Sequence, residues 1–254
     1  MINILLTGCN GRMGKAVAES VDNNDNCTIV AGIDVNDANT ASQFPTFLSI
    51  DEYDGKCDVI VDFSFHTATK AILDYAIKKN IPVVLATTGH TEEETQYIKY
   101  ASEKIPVFYS RNMSLGINLL IALAKKACQS LGESFDIEII EKHHNMKLDA
   151  PSGTALMIAD ALKETRSIET EYVYNRQPVK KKREPSEIGI HAVRGGTIVG
   201  EHEVMFAGKN EIVTLSHSAS SRNVFAEGAV RAALFMVGKP AGLFDMNSIV
   251  ESIL

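Results

Sequence analysis

Short apolar runs recur through the first half of the chain, at 2–7, 28–34, 58–63, 81–86 and 105–109. Several are separated by stretches of helical period, at 12–21, 67–79 and 92–103. Apolar strands alternating with crossover helices predict a parallel sheet covered on both faces. From residue 135 the grammar changes. The run 135–141 alternates apolar and polar residues at its start, as a half-buried strand does, and 155–162 is strongly helix-forming. A polar segment, 166–187, precedes strand-like runs at 188–193, 198–206 and 212–218. Gly195-Gly196 and Gly208-Lys-Asn210 punctuate those runs as turns, which predicts antiparallel pairing. Residues 225–237 and 246–254 read as helical again. The expected fold class is therefore α/β. One domain on a parallel sheet comprises 1–114 and 221–254, and an inserted α+β domain comprises 115–220.

Composition narrows the partners. The 254 residues carry a formal net charge of -7, which argues against a general attraction to nucleic acid. The basic run Lys180-Lys-Lys-Arg183 leads straight into Glu184 and Glu187, and reads as a solvated loop. Cys9, Cys27, Cys57 and Cys128 show neither paired nor metal-ligand spacing, so reduced thiols and no metal site are expected. No apolar run approaches a membrane span, and the apolar start reaches Gly8 too soon for a signal segment. A cytoplasmic protein without membrane partners is expected.

Leu5-Leu-Thr-Gly-Cys-Asn-Gly-Arg-Met-Gly14 places Gly8, Gly11 and Gly14 between a strand and a helix. Glycines there let the backbone turn tightly and approach a pyrophosphate at the helix N-terminus. The loop residues Gly8, Cys9, Asn10, Gly11, Arg12, Met13 and Gly14 are thus candidates for cofactor binding, in a Rossmann-like dinucleotide-binding domain. Asp34, twenty residues beyond Gly14, ends the second strand, where a carboxylate accepts bonds from ribose hydroxyls. In a parallel sheet ligands collect at the carboxyl ends of strands. That adds Ala86, Thr87 and Thr88 after the fourth strand, and Ser110, Arg111, Asn112 and Met113 after the fifth. Asp62-Phe-Ser64 ends the third in the same layer and reads equally as a turn or cap. Gly32-Ile-Asp-Val-Asn-Asp37 offers no cation for a 2′-phosphate, and Asp34 and Asp37 repel one, so NADH is the expected cofactor. Arg12 is the counterweight that lets NADPH be tolerated.

The densest chemistry lies in Glu141-Lys-His-His-Asn-Met-Lys-Leu-Asp-Ala-Pro-Ser-Gly-Thr154, on a strand-to-helix connection. His143, His144 and Lys147 can donate protons or hold anions. Pro151 suits a helix entrance, Ser152 can cap it, and the turn offers N–H groups where anions bind. Together they describe a site for a small anionic substrate that needs a proton.

With both halves read, the chain resembles the dihydrodipicolinate reductase family, the 4-hydroxy-tetrahydrodipicolinate reductases of bacterial lysine biosynthesis. Glu141-Lys-His-His-Asn-Met-Lys147 followed by Asp149-Ala-Pro-Ser-Gly-Thr-Ala155 looks like that family's signature. Gly8–Gly14 and Ser220-Ser-Arg-Asn-Val-Phe-Ala-Glu-Gly-Ala229 extend the likeness over essentially the whole chain. The resemblance implies a Rossmann-like domain with a substrate domain that builds a homotetramer. It implies a cyclic dicarboxylate substrate held by His144, Lys147, Ser152, Gly153 and Thr154, with hydride from nicotinamide C4. His143 and Lys147 would supply the proton. Two other readings stay open: another two-domain amino- or keto-acid dehydrogenase, and an NAD(H)-sensing protein without turnover.

Overall fold

The computed structural model describes residues 1–36 and 43–253. In chain order the elements begin with β1 (Ile2–Thr7), α1 (Arg12–Asp22), β2 (Cys27–Ile33), β3 (Thr46–Phe47) and β4 (Val59–Asp62). Next come α2 (Thr69–Lys79), β5 (Val83–Leu85), α3 (Glu92–Ser102), β6 (Pro106–Tyr109) and α4 (Leu115–Leu131). Then follow β7 (Asp136–His143), α5 (Gly153–Thr165), β8 (Glu171–Val173), β9 (Glu187–Arg194), β10 (Gly200–Ala207) and β11 (Ile212–Ala219). The chain closes with α6 (Asn223–Met236), β12 (Gly242–Phe244) and α7 (Met246–Glu251). It divides into two compact units, Met1–Leu115 with Asn223–Leu254, and Gly116–Arg222.

The first unit holds a seven-stranded sheet in the order β12-β6-β5-β4-β1-β2-β3, and every pair is parallel. Its central strands are apolar on both faces because both are covered. One core layer gathers Ile4, Leu6, Val59 and Val61 with Val17 of α1 and Ala226, Ala229 and Ala233 of α6. The other packs Leu5, Ile60, Val83 and Leu85 against Ile72, Leu73, Ile98 and Ala101 of α2 and α3. The order reverses at β1, which has β2 on one side and β4 on the other. The loop leaving β1 therefore opens at the crevice where doubly wound sheets take ligands.

The second unit holds a five-stranded sheet, β11-β10-β7-β9-β8. Here one expectation needs correcting. β10 and β11 do form the antiparallel hairpin across Gly208–Asn210, but β9 and β10 do not pair across Gly195-Gly196. β7 lies between them, parallel to β9 and antiparallel to β10. Non-local register, which glycine turns do not encode, decides this. Ile137 and Ile139 of β7 face the core with Val204, Phe206, Ile188 and Ile190, beneath Ile117, Leu120 and Ala124 of α4 and Ile158 and Leu162 of α5.

The basic run is also more than a solvated loop. Arg183 reaches Asp136 at 2.6 Å and Glu138 at 3.0 Å, and Lys181 reaches Glu187 at 3.1 Å. Arg176 pairs with both Glu187 and Glu138. These cations neutralise the sheet's carboxylates, of which Glu138 is largely buried and Glu187 has no exposed side-chain surface.

Candidate active site

In the first unit β1 runs into Gly8, whose φ of +73° is a conformation that side chains rarely adopt. A Cβ there would stand 2.6 Å from the carbonyl of Phe63, and one on Gly14 would stand 2.2 Å from the Gly8 oxygen. The loop lies flat against its neighbours because those side chains are missing. α1 then starts behind Gly11, with no side-chain cap. Asp34, 8 % exposed, accepts the N–H of Asn10 at 2.9 Å and that of Asn36 at 3.0 Å, pinning the glycine loop to the end of β2. Arg12 is exposed. Asp37 lies outside the described residues. Cys9 and Met113 are buried in the core, so their side chains are not presented to a ligand. Burial, and then the charge of Asp34, push the Cys9 thiol upward.

The strand-end residues are tied together by Asp62. This fully buried carboxylate accepts the hydroxyl of Thr7 at 2.5 Å, the N–H of Ser64 at 2.9 Å and its hydroxyl at 2.5 Å, and the hydroxyl of Thr87 at 2.8 Å. Thr87 is thus turned inward, while Thr88 is exposed. The Ser110 hydroxyl donates to the Asn112 carbonyl at 2.9 Å, and the Asn112 side chain accepts the Ser114 N–H at 2.8 Å. These bonds shape the loops after β4, β5 and β6. The uncapped helix start, the glycine cradle and the carboxylate at the end of β2 fit a dinucleotide.

In the second unit the same strand phase that buries Ile137 and Ile139 also buries Glu141 and His143. The core face of β7 turns polar at its end. Glu141 Oε1 accepts from Arg194 Nη2 at 2.8 Å and from the Ser152 N–H at 2.9 Å. Its Oε2 accepts from Arg194 Nη1 at 2.8 Å and lies 2.6 Å from His143 Nδ1. Burial opposes the charged form of Glu141, but Arg194, His143 and Ser152 together hold its carboxyl below the usual range. The His202 ring stands edge-on to His143, centroids 5.3 Å apart, and its Nε2 is 3.1 Å from Ser152 Oγ. Burial, and then His143, push His202 down to about 4, so it is neutral at physiological pH.

Ser152 caps α5, accepting the Ala155 N–H at 3.1 Å. Gly153 is exposed, and a Cβ on it would meet nothing within 4 Å. Lys147 Nζ lies 2.9 Å from Asp149 Oδ1. That bond first, and the Gly153 N–H further, hold the Asp149 carboxyl below its ordinary value. His144 Nε2 is 3.5 Å from Arg222 Nη2. Glu141, His143 and Ser152 thus form one bonded cluster; Lys147 pairs with Asp149 on the same connection, and Arg194 Nη2 ties the two together by donating to the Asp149 carbonyl at 2.6 Å. Sequence reasoning passed over Arg194 and His202. Both come from other strands, opposite His143 and Glu141 respectively, and only the register reveals them.

Residues 2–113 match the family model described as dihydrodipicolinate reductase, N-terminus, and 116–250 match that described as its C-terminus. The chain belongs to the dihydrodipicolinate reductase family. The 4-hydroxy-tetrahydrodipicolinate reductase of Caldanaerobacter subterraneus subsp. tengcongensis is 53% identical, over 99% of each chain. That of Clostridium tetani is 45% identical, over 99% of this chain and 98% of its own. Among solved structures, the dipicolinate-bound dihydrodipicolinate reductase from Paenisporosarcina sp. TG-14 superposes with a TM-score of 0.83 at 28% identity, over 97% of this chain and 99% of that one. The family is a pyridine-nucleotide-dependent reductase family. Among the described residues no helix is long and apolar enough to cross a membrane.

Proposed function

We propose that this chain reduces 4-hydroxy-tetrahydrodipicolinate to tetrahydrodipicolinate with NAD(P)H, on the diaminopimelate route to lysine. One observation carries the reading: His143, Lys147 and the start of α5 lie on a single connection, in a chain that belongs to this family. The balanced reaction consumes one NAD(P)H and one proton and releases water and NAD(P)+. The reduced nicotinamide, when bound in the first unit, supplies the hydride.

The chain's own residues have two tasks: holding two carboxylates and moving one proton. His144, Lys147, Ser152, Gly153 and Thr154 are assigned the carboxylates. The Asp149 carboxylate supports this, because it pairs with Lys147 at 2.9 Å and its charged form is favoured by the main chain at Gly153. Lys147 thus already holds one carboxylate beside the start of α5. His143 and Lys147 are assigned the proton: loss of the hydroxyl as water leaves a ring C=C bond conjugated with the imine, hydride adds to the carbon that carried the hydroxyl, and the neighbouring ring carbon, left carbanionic, then takes the proton. General acid assistance contributes about a hundred- to ten-thousandfold in rate. His143→Ala and Lys147→Ala should each lower turnover by at least about a hundredfold with the fold retained. Near-normal turnover in either variant removes that residue from its role.

In the first unit we assign the cofactor to 8–14, Asp34, 86–88 and 110–113. The carboxylate of Asp34 at the end of β2 supports NADH over NADPH, because it accepts hydroxyl donors and repels a 2′-phosphate. Arg12, exposed in the same loop, supports residual use of NADPH. We further propose a cytoplasmic homotetramer. Free thiols at Cys9, Cys27, Cys57 and Cys128 fit a reducing compartment, and β11 closes its sheet as an edge strand with Ile212 exposed.

A further inference from the structure

The carboxylate of Glu141 is saturated. It is fully buried and receives two donors from Arg194, one from the Ser152 main chain and one from the His143 ring. An ionised carboxylate only accepts hydrogen bonds, so the proton between Glu141 and His143 belongs to Nδ1. That leaves Nε2 as the ring atom able to take up or release a proton. Nε2 faces Gly200, where a Cβ would come within 3.2 Å of it. Glycine at that position keeps space beside this nitrogen.

The other oxygen of the same carboxylate fixes the N–H of Ser152, the residue that caps α5. On its far side the Ser152 hydroxyl meets His202, which packs edge-on against His143. One charged group thus sets both the tautomer of the imidazole and the place of the turn that begins α5. Stability alone does not account for this arrangement, since a buried ion pair contributes little more than apolar residues of equal volume.

We propose that Glu141, clamped by Arg194, is a positioning residue for the reduction, holding His143 with Nδ1 protonated so that Nε2 carries the transferred proton, in register with the Ser152–Thr154 turn. The inference rests on the reaction assigned above. It adds a residue that touches neither substrate nor cofactor and acts through His143.

A double-variant cycle tests it on the full chain. Glu141→Gln keeps the shape of the side chain and removes its charge. Removing a carboxylate that fixes a catalytic histidine's tautomer is severe in hydrolases that depend on one. Here Glu141→Gln should lower kcat by at least about tenfold, with KM rising less. In the His143→Ala background the same change should cost kcat less than about twofold, because the imidazole it positions is gone, and only the smaller rise in KM that comes through the Ser152 turn should remain. Equal losses in the two backgrounds, or no loss in the first, would overturn the proposal.

If Glu141→Gln does not fold, nitrogen-15 spectra of histidine-labelled wild-type protein decide instead. Neutral His143 should carry its proton on Nδ1, and finding it on Nε2 defeats the proposal. This spectrum also separates the two claims. A wild-type protein that binds NADH without reducing the substrate sinks the assigned reaction, while the tautomer still reports on Glu141.

Discussion

Arg194→Met removes the cation of this site, together with its bonds to the Val193 and Asp149 carbonyls. Methionine keeps most of the apolar stem and removes the guanidinium that grips both oxygens of Glu141. Taking one partner from a buried ion pair costs about 3–5 kcal/mol. The Glu141 side chain is 0% exposed and that of Arg194 is 20% exposed, so partial solvation of the arginine places the expected loss near the lower end, about 3 kcal/mol. Against a total stability of about 5–15 kcal/mol this is large, and it corresponds to a fall in Tm of about 6–12 °C. The loss should depend on pH. In the wild type the Glu141 carboxyl lies below its ordinary value because Arg194, His143 and Ser152 outweigh burial. A depressed carboxyl stabilises the fold above the unfolded value and loses that contribution as pH falls through the folded one. Without Arg194 burial gains the upper hand, the carboxyl shifts upward, and the penalty of a buried charge is relieved by protonation. The gap between variant and wild type should thus be widest at neutral pH and narrow on acidification. Thermal unfolding followed by circular dichroism from about pH 8 to about pH 5 measures it. Equal Tm values at neutral pH, or a gap that stays constant with pH, would refute the reasoning.

Three further outcomes are expected. Gly153→Val should fold normally, since its Cβ has open space, yet should bind pyridine-2,6-dicarboxylate at least about tenfold more weakly by calorimetry, because the helix start no longer admits a carboxylate; equal binding places the carboxylates elsewhere. Acid should unfold the second unit through Glu187, whose carboxyl is held at about 2, by Arg176 foremost. Its stabilisation is complete above the ordinary value of 4.5 and lost between there and about 2, so Glu187→Gln should flatten the stability curve over that window. Finally, kcat/KM should be higher with NADH than with NADPH, and the reverse order would show that Arg12 outweighs Asp34.

The parallel sheet was legible because strands buried on both faces, such as 2–7 and 58–63, are largely apolar rather than alternating, and are separated by amphipathic helices. α4 escaped because its first half, 115–123, is apolar nearly all round, with Leu119 and Leu123 on the surface as well as Ile117 and Ile121 in the core, so that half shows no polar face of its own. β3, β8 and β12 are two or three residues long and carry no period of their own. The site divides in the same way. Whatever lies on one connection, from Glu141 to Thr154, could be read as a cluster. The alternation Ile137, Ile139, Glu141, His143 even assigns the last two to the buried face. Arg194 and His202 come from β9 and β10, and no local pattern announces them. Asp62 looks like a cap in sequence, and proves to bond residues at the ends of β1, β4 and β5.

The central claim meets its most direct test in one assay. Purified chain is mixed with enzymatically generated 4-hydroxy-tetrahydrodipicolinate, and the absorbance of the reduced nicotinamide is followed with NADH and NADPH in parallel. The account predicts rapid loss of absorbance that requires both substrate and protein and that nearly vanishes in Lys147→Ala. Tight NADH binding with no oxidation on adding substrate would contradict it and would identify a nucleotide-sensing protein instead.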